Sequence, residues 1–142
     1  MLNLKVGHHE IAQEIFLTMA KNGEVRAVQE LSTQEKLSIL AKSCRNQTIR
    51  DAAVDKLEPR ELTDVAKSGD FEDACIRCVE RLARQNNQER LAEVAKNKAG
   101  KGRVREAAIK KLTNTAVLNE IKSQGDAIDR KVAEERLKEL GK

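Results

Sequence analysis

The sequence predicts an all-α protein built as an array of helical hairpins, and three observations predict it. Leu, Ala, Glu, Lys and Arg dominate a chain of 142 residues that holds one proline, seven glycines and two aromatics, Phe16 and Phe71; these are strong helix formers. A short word recurs: "FLTMAK" (16–21), "LSILAK" (37–42), "LTDVAK" (62–67) and "LAEVAK" (91–96), with "LNEIKS" (118–123) as a variant carrying Lys122 in place of the Ala. A second word alternates with it: "IRDAAVDKL" (49–57), "ACIRCVERL" (74–82) and "VREAAIKKL" (104–112) align without gaps.

The elements follow in chain order. Residues 1–9 read as an N-terminal extension, with His8, His9 and Glu10 placed before the first helix. Adjacent histidines point in different directions on any regular element, so they read as a solvated pair and not as a metal chelate. Residues 10–125 read as stacked hairpins. The Lys word places apolar residues at i, i+3 and i+4, one face of a helix, and its starts lie 21, 25, 29 and 27 residues apart. The second word carries four apolar columns: Ile49/Ala74/Val104, Ala53/Cys78/Ala108, Val54/Val79/Ile109 and Leu57/Leu82/Leu112. Their offsets again make one helical face. "VRAVQEL" (25–31) is a degenerate earlier copy and 127–140 a modified last one. The unit is a hairpin of roughly 25 residues repeated about five times, each too small to bury its stripe without its neighbours. Residues 126–142 read as a capping helix, with Ile128, Val132, Leu137 and Leu140 inward and Asp129, Arg130, Glu134, Glu135 and Lys138 outward. The whole, 1–142, reads as one domain.

Punctuation fits these boundaries. Gly23, Gly69 and Gly125 stand after the Lys word, where a left-handed glycine ends helices. Asp70 and Asp126 follow as expected N-caps. Ser32 and Glu35 have capping-box spacing, and Pro59 suits a first helical turn.

"IRDAAVDKL" and "VREAAIKKL" resemble the Val-Arg-x-Ala-Ala-x-x-x-Leu helix of HEAT-like repeats, and "LTDVAK" and "LAEVAK" resemble the second helix of that unit. The usual proline of the first helix is missing, and the units are short. The similarity is thus to the short HEAT-like and leucine-rich-variant repeats of bacterial tandem-repeat proteins, over roughly residues 10–140. The resemblance implies a right-handed α-α superhelix, a curved binding scaffold without catalysis.

Composition narrows the function classes. No apolar run approaches a bilayer span of about 20 residues, and the start lacks the apolar core of a signal peptide. Three cysteines, an odd number, argue against a disulfide framework and for a cytoplasmic setting. Residues 1–71 carry 10 basic and 11 acidic side chains, residues 72–142 carry 17 and 12, an asymmetry suited to an acidic partner. No catalytic motif of the hydrolase, metalloprotease or Cys-His kinds occurs, no cofactor motif is present, and no small-molecule substrate is evident. The catalytic branch of the HEAT-like fold, the DNA glycosylases, uses aromatics around a carboxylate, and this chain has no Trp or Tyr.

The candidate sites are charged. Cys75 and Cys78 form a Cys-x-x-Cys whose thiols share a helical face. Metal or redox use is one reading; the other is a core cysteine, since Cys78 occupies the Ala53/Ala108 column. The recurrent Arg26, Arg50 and Arg105 read as a ladder onto the ends of preceding helices, or as ligand contacts. Lys21, Lys42, Lys67 and Lys96 each close a Lys word, where a cation complements the helix dipole, with Asp64 and Glu93 spaced to pair with Lys67 and Lys96. The segment 96–105, "KNKAGKGRVR", concentrates Lys96, Lys98, Lys101, Arg103 and Arg105 without an acid. It reads either as a solvated loop or as a contact for phosphate or an acidic protein, but it lacks the Walker spacing. Reversing charge at Lys98, Lys101 and Arg103 is expected to leave the helical signal intact. Groove-facing candidates are the columns Ser38/Thr63/Ala92/Asn119 and Ile39/Asp64/Glu93/Glu120, which vary between units while the core columns stay apolar, flanked by Lys42 and Lys67. The expected function is a protein-interaction scaffold; the alternative is nucleic-acid or other polyanion binding through 96–105, which the scarcity of base-stacking aromatics weakens.

Overall fold

The computed structural model describes the backbone of residues 2–141 and the side chains of residues 8–141. Among them are ten helices and no strand: α1 (Leu2–Lys21), α2 (Val25–Glu30), α3 (Gln34–Ser43), α4 (Gln47–Val54), α5 (Pro59–Ser68), α6 (Glu72–Arg84), α7 (Gln88–Ala95), α8 (Gly102–Lys111), α9 (Thr115–Gln124) and α10 (Ala127–Glu139). The side chains of residues 1–7, most of the expected N-terminal extension, lie outside the described residues. Helix α1 already spans residues 8–10, so His8 and His9 are exposed helical residues and do not precede the first helix.

The two words sort onto alternate helices. Lys words lie on the odd-numbered helices, second words on the even-numbered ones, and each odd helix pairs with the even helix after it. The chain divides into two compact units, Met1–Glu58 and Pro59–Lys142. In the first unit α1 pairs with α2 and α3 with α4, while α2 packs on α4 and α1 on α3. In the second, α5/α6, α7/α8 and α9/α10 are the pairs; α8 packs against both α6 and α10, and α5 lies against α7.

All twelve positions of the four apolar columns are buried. Burying each Leu, Ile or Val contributes about 1.5–3 kcal/mol, so the repeated spacing is the main source of cohesion. The Ala53, Cys78 and Ala108 column is wholly inaccessible to solvent, and its small side chains allow close helix approach. Lys words on α3, α5, α7 and α9 bury their first and fourth residues. The first copy departs from this: α1 buries Gln13, Leu17 and Ala20 and leaves Met19 exposed.

The last helix departs too. Its buried face is Asp129, Val132, Ala133 and Leu137, with Ile128 in solvent. The expected face holds at Val132 and Leu137 and fails at its start, where the expectation sets Ile128 inward and Asp129 outward. Asp129 takes the apolar column and Arg130 the arginine position of the second word. A buried carboxylate is tolerable there because a guanidinium meets it.

Several boundaries also differ from expectation. Asp126 caps α10, accepting from the Asp129 amide at 2.9 Å, and Pro59 opens α5. Helix α6 starts after Phe71 with no side-chain cap, so Asp70 does not serve. Thr33, not Ser32, occupies the cap position of α3, also without a cap bond, and the Ser32 amide donates to Gln13 Oε1. Asn46, Asn87 and Asn114 supply the remaining side-chain caps. Only Gly23 of the three punctuating glycines has positive φ. At Gly69 and Gly125 space is the constraint: an added Cβ meets Val65 O at 2.8 Å and Ile121 O at 2.7 Å.

Candidate functional site

Helix C-termini leave carbonyls without partners at the negative end of the dipole. In this chain the repeated arginine position supplies those partners. Arg50 Nη1 donates to Cys44 O at 2.9 Å behind α3, and Arg130 Nε donates to Gly125 O at 2.6 Å behind α9. Arg105 donates to Gly100 O at 2.8 Å, and its other nitrogens reach Asp129 at 2.9 Å and Asp126 at 3.2 Å. Arg26 is exposed. Cys75 fills the same position on α6, where its thiol donates to Val65 O at 3.2 Å. Lys101 then covers the neighbouring carbonyl, Gly69 O, at 2.7 Å. One structural task is thus done by arginine or by a thiol helped by a lysine.

Two further fastenings come from a basic column of the second word, Lys56, Arg81 and Lys111 with Arg136 in the last copy. Lys56 Nζ donates to the carbonyls of Val28, Gln29 and Leu31 behind α2, and Arg136 reaches Leu112 O behind α8 at 2.8 Å. Glutamines clamp the loops after even helices by donating to one carbonyl and accepting from an amide two residues on. Gln13 holds Glu30 and Ser32, Gln34 holds Lys56 and Glu58, and Gln88 holds Lys111 and Thr113.

The basic segment 96–105 is consumed largely by this wiring. Lys96 meets Glu120 at 3.4 Å, while Glu93, its expected partner, pairs with Arg90 at 3.2 Å. Lys98 lies 3.4 Å from Gln124 O behind α9. Lys101 sits on Gly69 O, and Asn97 Nδ2 donates to Lys67 O at 3.3 Å, so the segment closes the end of α5. Arg105 is held as above. Arg103 is 83% exposed with Glu72 at 3.9 Å; Lys96, Lys98 and Lys101 keep exposed surface while making these bonds, and only Arg105 is largely withdrawn from solvent. Of the three positions expected to tolerate charge reversal, Lys101 is the one where a carboxylate would face a carbonyl, Gly69 O.

The groove candidates separate. Thr63 is buried and its hydroxyl donates to Pro59 O at 2.7 Å; back-bonding to its own helix turns it away from any groove. Lys67, Asp64, Asn119 and Glu120 are exposed, whereas Lys42 and Glu93 are half-buried.

Apart from Ile39, a groove candidate, the exposed apolar surface was not singled out by sequence spacing. Among the described residues six large hydrophobics are exposed, and four of them, Ile11, Ile15, Met19 and Ile39, lie on α1 and α3. Ile11 and Ile15 are 58% and 53% exposed. With the start of α3 they border an open trough of about 840 Å³. Their signal was present as an i, i+4, i+8 run, but aligning "FLTMAK" with the other words placed Met19 in the core.

Cys44, Cys75 and Cys78 are free and buried. Burial raises the Cys75 and Cys78 thiols above the ordinary range, which keeps both protonated and unreactive. No group of three or more His, Cys, Asp or Glu side chains is arranged to hold a metal among the described residues, and no helix there is long and apolar enough to cross a membrane. Compared with protein-family models, with curated proteins and with solved structures, the chain finds no match.

Proposed function

We propose that the helical pairs are HEAT-like repeats of a right-handed α-solenoid and that the chain is a non-catalytic protein-interaction scaffold, with the odd-numbered helices presenting the partner surface. The alternation of the two words on packed helix pairs supports the repeat reading. The observation that carries the function is the exposed Ile11, Ile15, Met19 and Ile39 on two odd-numbered helices. Three of them, Ile11, Ile15 and Met19, line one trough, and an exposed apolar patch on a folded chain marks a place where another molecule sits. Polyanion binding through 96–105 ranks lower, because four of its five cations are directed at carbonyls or carboxylates of the chain itself.

A photoreactive side chain placed at Ile15 or Ile39, compared with one at Lys110 or Lys131 on even-numbered helices, tests this in cell extract. Adducts concentrated at positions 15 and 39, and suppressed by excess unlabelled protein, are the expected result. Equal labelling at all four positions, or labelling at 110 and 131 alone, would overturn it.

A further inference from the structure

We propose that the trough bordered by α1 and the start of α3 receives a basic amphipathic helix of a partner protein. The inference rests on the scaffold reading above and names the partner's chemistry. The floor is Ile11, Ile15 and Met19, spaced i, i+4 and i+8, which sets them in a row about 12 Å long at 1.5 Å per residue. Such a row fits a second helix lying along it with apolar side chains at i, i+4 and i+7.

The rim supplies the charge argument. Glu10 and Glu14 of α1 and Glu35 of α3 border the trough, and among the described residues the one cation in the lining is Lys36. Lys36 is already engaged, 3.2 Å from Glu14. Three carboxylates against one bound ammonium leave an acidic rim around an apolar floor, complementary to leucines flanked by Lys and Arg. A second copy docking face to face would set this acidic rim against itself, an unfavourable pairing. An anionic lipid surface is repelled for the same reason.

The test uses the full chain and two synthetic helical peptides with one leucine stripe, flanked by Lys and Arg in the first and by Glu in the second. The basic peptide is expected to bind at least about tenfold tighter, the scale of two or three exposed ion pairs, and to shift the methyl resonances of Ile11, Ile15 and Met19. The double variant Glu10→Lys/Glu35→Lys, at exposed positions, is expected to reverse the preference. Equal affinities, no binding of either peptide, or shifts confined to other residues would overturn the proposal. So would a concentration-dependent dimer that Ile15→Ser abolishes, or binding to phosphatidylserine vesicles that outcompetes the basic peptide. Adducts at position 15 in extract with no peptide binding would sink this inference alone; no adduct at position 15 would remove the scaffold reading with it.

Discussion

The apolar face of α1 and α3 in the first unit and the basic segment 96–105 in the second make opposite impressions in sequence and in structure. The basic segment holds the chain's densest run of positive charge, yet its cations end on the carbonyls of Gly69 and Gly100 and on the carboxylates of Glu120, Asp126 and Asp129. The α1 face is written in ordinary helix-core residues, yet it lies in solvent. Charge density along a chain is therefore a poor measure of available charge when helix ends crowd together, because each end demands donors. Apolar periodicity is an equally poor measure of burial, since Ile11, Ile15 and Met19 keep core spacing and are exposed.

Substitutions break this contrast at different strengths. The largest effect is expected at Arg105→Ala, which strands the buried Asp129 carboxylate and uncaps Gly100 O; removing one partner of a buried pair costs about 3 kcal/mol, read as a lowered urea midpoint. Lys101→Glu comes next, because it removes a charged donor from Gly69 O and substitutes a repelling acid; a loss of about 2 kcal/mol is expected, visible as a thermal shift.

Asp126→Ala comes third, since it removes the N-cap bond from the Asp129 amide at an exposed helix start. Its effect depends on pH. The bond from the Asp129 amide, with the Arg105 guanidinium beside it, holds the Asp126 carboxyl below its ordinary value. A depressed carboxyl contributes stability above its unfolded value, about 3.9, and loses it as pH falls through the folded value. The gap between wild type and Asp126→Ala should thus be full at pH 6 and shrink as the pH falls below about 4, when unfolding is followed by circular dichroism. Ile15→Ser is the smallest expected change, within about 0.5 kcal/mol, since it alters a solvated side chain outside the core.

Much of the fold was legible because it is periodic. The four columns of the second word, repeated three times, identified twelve positions that are all buried, and the arginine ladder followed from its register. What escaped was polar, or stood where the period is broken. Gln13, Gln34 and Gln88 each precede a Lys word by three residues, but a recurring polar residue reads as surface. Asp129 was hidden by a one-residue shift in the last copy, where an aspartate stands in an apolar column and charge alone reads as surface. Thr63 reads as polar and exposed, but its hydroxyl satisfies itself on Pro59 O, so its side chain can be buried. The glutamine clamps join residues 17 to 25 positions apart, and nothing local marks a glutamine as a clamp. The α1 face was masked by its own conformity to the repeat.

The central claim is that segment 96–105 holds the second unit together while the α1 face is free surface. Equilibrium urea unfolding of Arg105→Ala beside Ile15→Ser, followed by far-ultraviolet circular dichroism, tests it most directly. The account predicts a clearly lowered midpoint for Arg105→Ala and an unchanged one for Ile15→Ser. An unmoved midpoint for Arg105→Ala, or a comparable loss from Ile15→Ser, would contradict it.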